Sequence, residues 1–224
     1  MRKNALFLSP FILAASLAPA AAGAAQGSEA GEARAVSTSE GQAPSDAIVL
    51  FDGSGLDEWE SADGSGPALW PVGDGAMTAD KGNIVTRRRF ADMQIHLEFF
   101  IPVQKAAEGQ HLVNSGIYIH RNYEIQILDS YQTGSDPVLS CGAVYQRNAP
   151  LVNACRRPGV WQSFDIVFHA PRFDGAGKLV AEDATVTMLF NGVLVQDHVK
   201  IKPTGGASKN PEVPRGPILL QYHD

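Results

Sequence analysis

The sequence predicts an all-β fold of packed antiparallel sheets, a sandwich or a barrel. Three observations carry that prediction. From Ala47 onward, short runs rich in Val, Ile, Phe, Tyr and Thr alternate with Gly, Asp, Asn and Pro, the punctuation of strands and turns. Apolar and polar residues alternate in Gln94-Ile95-His96-Leu97-Glu98-Phe99, and less strictly in Asp165-Ile166-Val167-Phe168, as on strands with one buried face. No window beyond the N-terminal segment keeps a helical period over about ten residues.

The elements follow in order. A first strand is read at 47–51 and ends at the Asp52-Gly53 turn. A second, at 68–72, lies between the Asp63-Gly64 and Asp74-Gly75 turns. Runs at 83–87 and 92–102 come next, the latter carrying the clean alternation. Strands at 115–121 and 123–129 hold Gly116 to His120 and Tyr123 to Asp129, with a short turn at Arg121-Asn122 between them. Further strands fall at 142–147 and 161–169. The strongest local signal is Val186 to Phe190, then Asn191-Gly192, then Val193 to Val195. Asn-Gly between two apolar runs marks a two-residue type I′ hairpin, which joins strands at 184–190 and 193–199. A last strand is read at 217–222.

At 224 residues the chain has room for one domain, and 44% apolar residues exclude disorder of the whole. The 18 basic and 24 acidic residues give a net charge of −6, with no long basic run, so a nucleic-acid partner is not expected. Residues 1–25 read as a secretory signal peptide: basic Arg2 and Lys3, an apolar run from Ala5 to Leu17, then small residues. Cleavage is expected after Ala24 or Ala25, with Ala20 the alternative, which places the protein in the periplasm or outside the cell. The apolar run is too short to span a membrane, and no later stretch is long enough, so no membrane insertion is expected. Residues 26–45, small and polar, read as a flexible linker before a domain at 46–224. In an oxidising compartment the two cysteines, Cys141 and Cys155, are expected to pair. The bridge would close a loop worth about 3 kcal/mol in the chain-entropy account. The alternative is two free buried thiols.

Several stretches together resemble the 3-keto-disaccharide hydrolase domain family. The opening Leu50-Phe51-Asp52-Gly53, with Leu56 and Trp59, is similar to the family's start. Trp70-Pro71-Val72-Gly73-Asp74-Gly75 matches its next strand and turn. The central blocks are Asn114-Ser115-Gly116-Ile117-Tyr118 and Tyr123-Glu124-Ile125-Gln126-Ile127-Leu128-Asp129-Ser130. Cys141 to Tyr145, Pro150 to Ala154, Pro158 to Asp165, Ala170 to Phe173 and Gly216 to His223 follow in order. The match covers about residues 47–223. It implies an antiparallel two-sheet jelly-roll sandwich of the concanavalin A-like lectin and glucanase type. Family members usually continue past this point with one more strand, so the domain is read as lacking its final strand, with an unpaired sheet edge beside Gly216 to Tyr222. Arg87-Arg88-Arg89 is more basic than the family's usual stretch there and reads as a solvated strand end.

Residue by residue, a binding face can be placed. Glu124 and Gln126 lie two apart, so their side chains share one strand face while Ile125 and Ile127 take the other. A carboxylate beside an amide suits sugar hydroxyls; a solvated strand face is the bland alternative. Tyr118 and His120 are read on one face of the neighbouring strand, with His120 a proton shuttle if its pKa lies near neutrality, or a plain surface residue. Asn114, Arg121 and His223 complete the expected substrate contacts, and His111 is a loop-borne candidate. Trp161, Tyr145 and Trp70 would either stack on sugar rings or pack in the core. Glu124 and Asp129 resemble a glycosidase pair, but five residues of strand span about 16 Å, whereas a retaining pair needs carboxyls about 5–5.5 Å apart. Odd spacing also puts Asp129 on the other face, and a strand-end cap is its simpler role.

The resemblance implies an enzyme acting on a carbohydrate, a 3-keto-glycoside. A ketone at C3 acidifies the C2 proton, a base removes it, the C1 substituent leaves, and water adds afterwards. Such a site needs a base near pH 7 and donors for the developing enolate. Glu124 or His120 is the expected base; Gln126, Asn114 or Arg121 would donate, or a divalent metal would replace them. Two alternatives stand beside this: a non-catalytic lectin-like carbohydrate-binding module, and a retaining laminarinase-like glucanase.

Overall fold

The structure is a computed structural model that describes residues 7–14, 36, 43–103, 113–134, 136–180, 183–207 and 210–223. The strands are β1 (Phe7–Ala14), β2 (Ile48–Phe51), β3 (Trp59–Ser61), β4 (Val72–Gly73), β5 (Ala76–Thr78), β6 (Ile84–Thr86) and β7 (Met93–Phe100). They continue with β8 (Asn114–Ile119), β9 (Tyr123–Leu128), β10 (Trp161–His169), β11 (Ala184–Phe190), β12 (Val193–Ile201) and β13 (Ile218–Leu220). The larger sheet runs β12-β11-β10-β7-β1-β5-β4, with β2 also paired to β1; the smaller runs β3-β6-β13-β8-β9. Every pairing within both sheets is antiparallel. The antiparallel two-sheet sandwich that the sequence predicts is therefore the fold.

The core lies between the sheets. Period-two alternation delivers Met93, Ile95, Leu97 and Phe99 from β7 and Phe164, Ile166 and Phe168 from β10. From the smaller sheet come Ile117, Ile119, Tyr123, Ile125, Ile127, Ile218 and Leu220. At the centre Phe164 has Phe99 and Phe190 each 4.8 Å away, centroid to centroid, at tilted and edge-on angles. These are the offset geometries aromatic quadrupoles favour.

Strands 161–169 and 184–190 stand where the sequence places them, and the hairpin turns at Asn191-Gly192, with positive φ of 53° and 80° as a type I′ turn demands. Four differences have physical reasons. Residues 142–147 form no regular strand; they run as a strap along the edge of β9, joined by a single bridge at Ile125 and Val144. β3 and β5 were not expected, being three residues each with too few positions to show alternation. β13 is paired on both sides, by β6 and β8, so the unpaired edge expected beside Gly216 to Tyr222 does not exist. Phe7–Ala14, read as part of a leader outside the fold, lies in the larger sheet between β7 and β5. Phe, Leu and Ile there serve a strand as readily as an apolar leader. Most of the expected leader and linker lies outside the described residues.

Candidate functional site

The site is built on the outer face of the smaller sheet. Tyr118 stands opposite Glu124 and Gly116 opposite Gln126 across the β8–β9 pair. Leu219 stands opposite Tyr118, and the Gln221 N–H donates to the Gly116 carbonyl at 3.0 Å. Alternation therefore sends Ile117, Ile125 and Ile127 inward and brings Asn114, Tyr118, Glu124, Gln126 and Gln221 to one outward face. Two segments cover that face. The strap follows β9, with Gly142 N–H to Gln126 O at 2.9 Å and Tyr145 N–H to Glu124 O at 3.0 Å, and carries Tyr145. A 3₁₀ turn at Gly205–Ala207 closes the other side. Thr204, fully buried, anchors it: its Oγ accepts from the Glu124 N–H at 2.9 Å and its N–H donates to Asn122 O at 2.9 Å. The result is a small cleft of about 80 Å³, open to solvent, lined by Asn114, Tyr118, Glu124, Gln126, Tyr145 and Gln221 with Gly205, Gly206 and His223.

Glu124 is 3% exposed. Burial raises its pKa to about 7, against the pull of a hydrogen bond donated by the Tyr118 hydroxyl. Burial and the adjacent Glu124 charge push the Tyr118 phenol far up, so it stays a donor at neutral pH. The Tyr118 hydroxyl in turn accepts from Gln221 Nε2 at 3.3 Å. Gln126 Nε2 donates to Asn114 Oδ1 at 3.3 Å. Three buried acceptors remain without a protein partner: Glu124 Oε2, Gln126 Oε1 and Gln221 Oε1. Unpartnered buried acceptors cost free energy, and a cluster of them on one cleft asks for a ligand with several donors.

Gly116 is required by this arrangement. A Cβ there would lie 2.8 Å from Glu124 Oε1, so only glycine leaves room for the carboxylate. A glycine inside an apolar strand run is the sequence signal that would have flagged it. Gln221, Thr204 and the Gly205-Gly206 pair carried no such signal, because they reach the cleft from distant parts of the chain.

Two expected site residues lie elsewhere. The β8–β9 turn falls at His120-Arg121, one residue earlier than read, with φ of 56° and 59° and Asn122 N–H donating to Ile119 O at 3.0 Å. His120 is thus a turn residue and leaves the Tyr118 face. Its ring packs edge-on against Phe168, with centroids 4.9 Å apart, and desolvation lowers its pKa to about 4. Arg121 is exposed and donates to Ala62 O at 3.2 Å. Asp129 follows β9 and accepts from the Tyr131 N–H at 3.3 Å, a strand-end cap away from the cleft. Trp70 is buried, Trp161 is 40% exposed on the larger sheet, and Tyr145 lines the cleft. His111 lies outside the described residues. The expected bridge is not formed: Cys141 and Cys155 are both free buried thiols.

No group of three or more His, Cys, Asp or Glu among the described residues is placed to hold a metal. The oxygens in the cleft that a hard cation would use are Glu124 Oε2 and the two glutamine carbonyls. No helix among the described residues is long and apolar enough to cross a membrane.

Fold and site together define an antiparallel β-sandwich with an acceptor-lined cleft on the outer face of its smaller sheet. Residues 46–224 match the 3-keto-alpha-glucoside-1,2-lyase-like domain, and the chain belongs to that family. A 2.13 Å crystal structure of a "putative glycosyl hydrolase" from Parabacteroides distasonis is similar at 41% identity and TM-score 0.75, covering 81% of this chain and 78% of that one. A second protein from the same organism, described in the same words, shares the fold at 19% identity and TM-score 0.53, over 78% of this chain and 86% of that one. No curated protein matches the chain.

Proposed function

We propose that this domain cleaves 3-keto-glycosides by elimination, with Glu124 as the base. One observation carries the reading: a buried carboxyl with its pKa near 7 faces a cleft whose remaining acceptors lack partners. A base poised at neutrality is what removal of a C2 proton acidified by the C3 ketone requires. Glu124 takes that proton, the C2–H electron pair moves toward the carbonyl as an enolate, and its return expels the C1 substituent. Water then adds to the unsaturated sugar, so the net change is hydrolysis. Gln126 and Gln221 accept from sugar hydroxyls through their unpartnered carbonyls. Tyr118, fixed between Gln221 and Glu124, orients the base. Tyr145 and His223 are the polar groups at the rim that face the incoming sugar. A divalent cation, if one binds, would sit at the Glu124, Gln126 and Gln221 oxygens and supply charge stabilisation to the enolate.

The test is incubation of the purified protein with a 3-keto-glucoside and with its unoxidised parent. Release of the C1 substituent from the keto sugar alone is the expected result, slowed when C2 carries deuterium and proton removal limits the rate. Binding of the keto sugar without product would make the domain a lectin-like module. Equal cleavage of the unoxidised glycoside would make it a glucanase and overturn the elimination.

A further inference from the structure

The strap that carries Tyr145 begins and ends at the two cysteines, which the proposed reaction does not use. A chain of hydrogen bonds through Ser130 and Asn153 links their backbones. The Cys141 N–H donates to Ser130 Oγ at 2.8 Å, Asn153 Nδ2 donates to Ser130 O at 2.8 Å, and the Cys155 N–H donates to Asn153 Oδ1 at 3.0 Å. The two thiols lie close enough to shift each other's ionisation, and the Cys155 thiol donates to Arg156 O at 3.4 Å. Between them the chain crosses from one sheet to the other. Gly142 and Tyr145 bond to β9, Leu151 N–H donates to Val195 O of β12 at 2.8 Å, and Asn191 Nδ2 donates to Ala154 O at 2.8 Å.

We propose that Cys141 and Cys155 are a thiol–disulfide pair whose oxidation staples the base of the Tyr145 strap and fixes the outer wall of the cleft. The oxidant is a disulfide-bearing thiol compound or a dithiol oxidase. The Cys155 thiolate attacks one sulfur of that disulfide and releases the first reduced thiol. Cys141 then loses its proton and attacks the Cys155 sulfur, releasing the second. Two protein thiols become one bridge while one oxidant disulfide becomes two thiols, so atoms and electrons balance. The order follows from the surroundings. Cys155 is the less buried, at 8% exposure against 1%, and the neighbouring Cys141 thiol favours its thiolate, while burial pushes the Cys141 thiol up.

The experiment uses the full chain, reduced and then incubated folded with glutathione disulfide. A parallel sample is refolded from denaturant in the same redox buffer, which removes burial as an obstacle. The expected product is an internal bridge: a mass lower by two protons, no alkylatable thiol, and a cross-linked peptide containing Cys141 and Cys155. The bridged form should melt about 6–12 °C above the reduced form. Its amides at 142–148 should exchange more slowly, whether or not the domain turns over sugar. Cys155→Ala, a small change at the less buried of the two positions, should fold and show neither the bridge nor the exchange difference. Two alkylatable thiols, or a lasting glutathione adduct, in both samples would overturn the pair. A bridge that leaves exchange at 142–148 and the melting temperature unchanged would overturn the staple.

Discussion

Glu124 concentrates the cost and the chemistry of the site in one carboxyl. Its pKa rises on folding from 4.5 to about 7, so the folded chain takes up a proton that the unfolded chain releases between those values. Stability therefore falls as pH climbs from about 4.5 to about 7 and is level above. Glu124→Gln should accordingly raise stability at pH 8 by an amount on the order of 3 kcal/mol and change it little at pH 4, measured by urea unfolding at both pH values. The same variant should lose about 10²–10⁴-fold in turnover of a 3-keto-glucoside, the range of a lost general base. The wild type should lose activity as pH falls through about 7. A variant both less stable at pH 8 and fully active would show that this carboxyl is structural. Gly116 gives a second test. An added Cβ meets the far end of a flexible side chain, so Gly116→Ala should keep the fold yet displace the carboxylate and cost at least tenfold in turnover. Glu124 and Gln126 were legible in the sequence because alternation alone puts both on one face. That they are buried was not, since Tyr145 and Gly205-Gly206, which cover them, come from distant parts of the chain.

The turn between β8 and β9 decides which residues reach the cleft. A two-residue type I′ turn needs positive φ at both central positions, and here His120 and Arg121 supply it. Neither is a usual choice, so no Asn-Gly pair marks this turn as one marks the turn at Asn191-Gly192. A turn misplaced by one residue moves a side chain to the opposite face, which is why His120 was expected beside Tyr118 and is found against Phe168. Gly216 supports that turn: a Cβ would stand 2.6 Å from the His120 Cα, backbone that cannot step aside, so Gly216→Ala should destabilise by about 1–3 kcal/mol. Arg121→Gly removes a strained left-handed residue that makes one exposed hydrogen bond. It should raise stability by about 0.5–1 kcal/mol with turnover unchanged. A tenfold loss of turnover in that variant would return Arg121 to the site. Long strands such as β7 and β10 were legible because eight and nine residues display a period; the three-residue β3 and β5 owe their place to neighbours.

Across the whole molecule the two sheets divide the work, and adjacent residues of β10 show how. The smaller sheet presents the cleft on its outer face; the larger lends its inner face to the core. Phe164 points inward to the Phe99 and Phe190 rings, and Asp165 points outward, its Oδ1 2.7 Å from His96 Nδ1. Phe164→Ala should cost about 3–5 kcal/mol, because it removes the ring about which the core aromatics pack. Asp165→Asn should cost less than about 1 kcal/mol, since the pair is half exposed and screened. Its pH dependence has a definite sign. The hydrogen bond from Asp165 raises the His96 pKa on folding, so the pair's contribution is complete below the ordinary histidine value and fades as pH rises through the folded one. The deficit of Asp165→Asn should therefore be measurable at pH 5 and small at pH 9. Neither change touches the cleft, so kcat per folded molecule should stay within a few-fold of wild type in both. A drop of more than tenfold in kcat for Asp165→Asn, with the fold intact, would mean that the outer face of the larger sheet takes part in the chemistry.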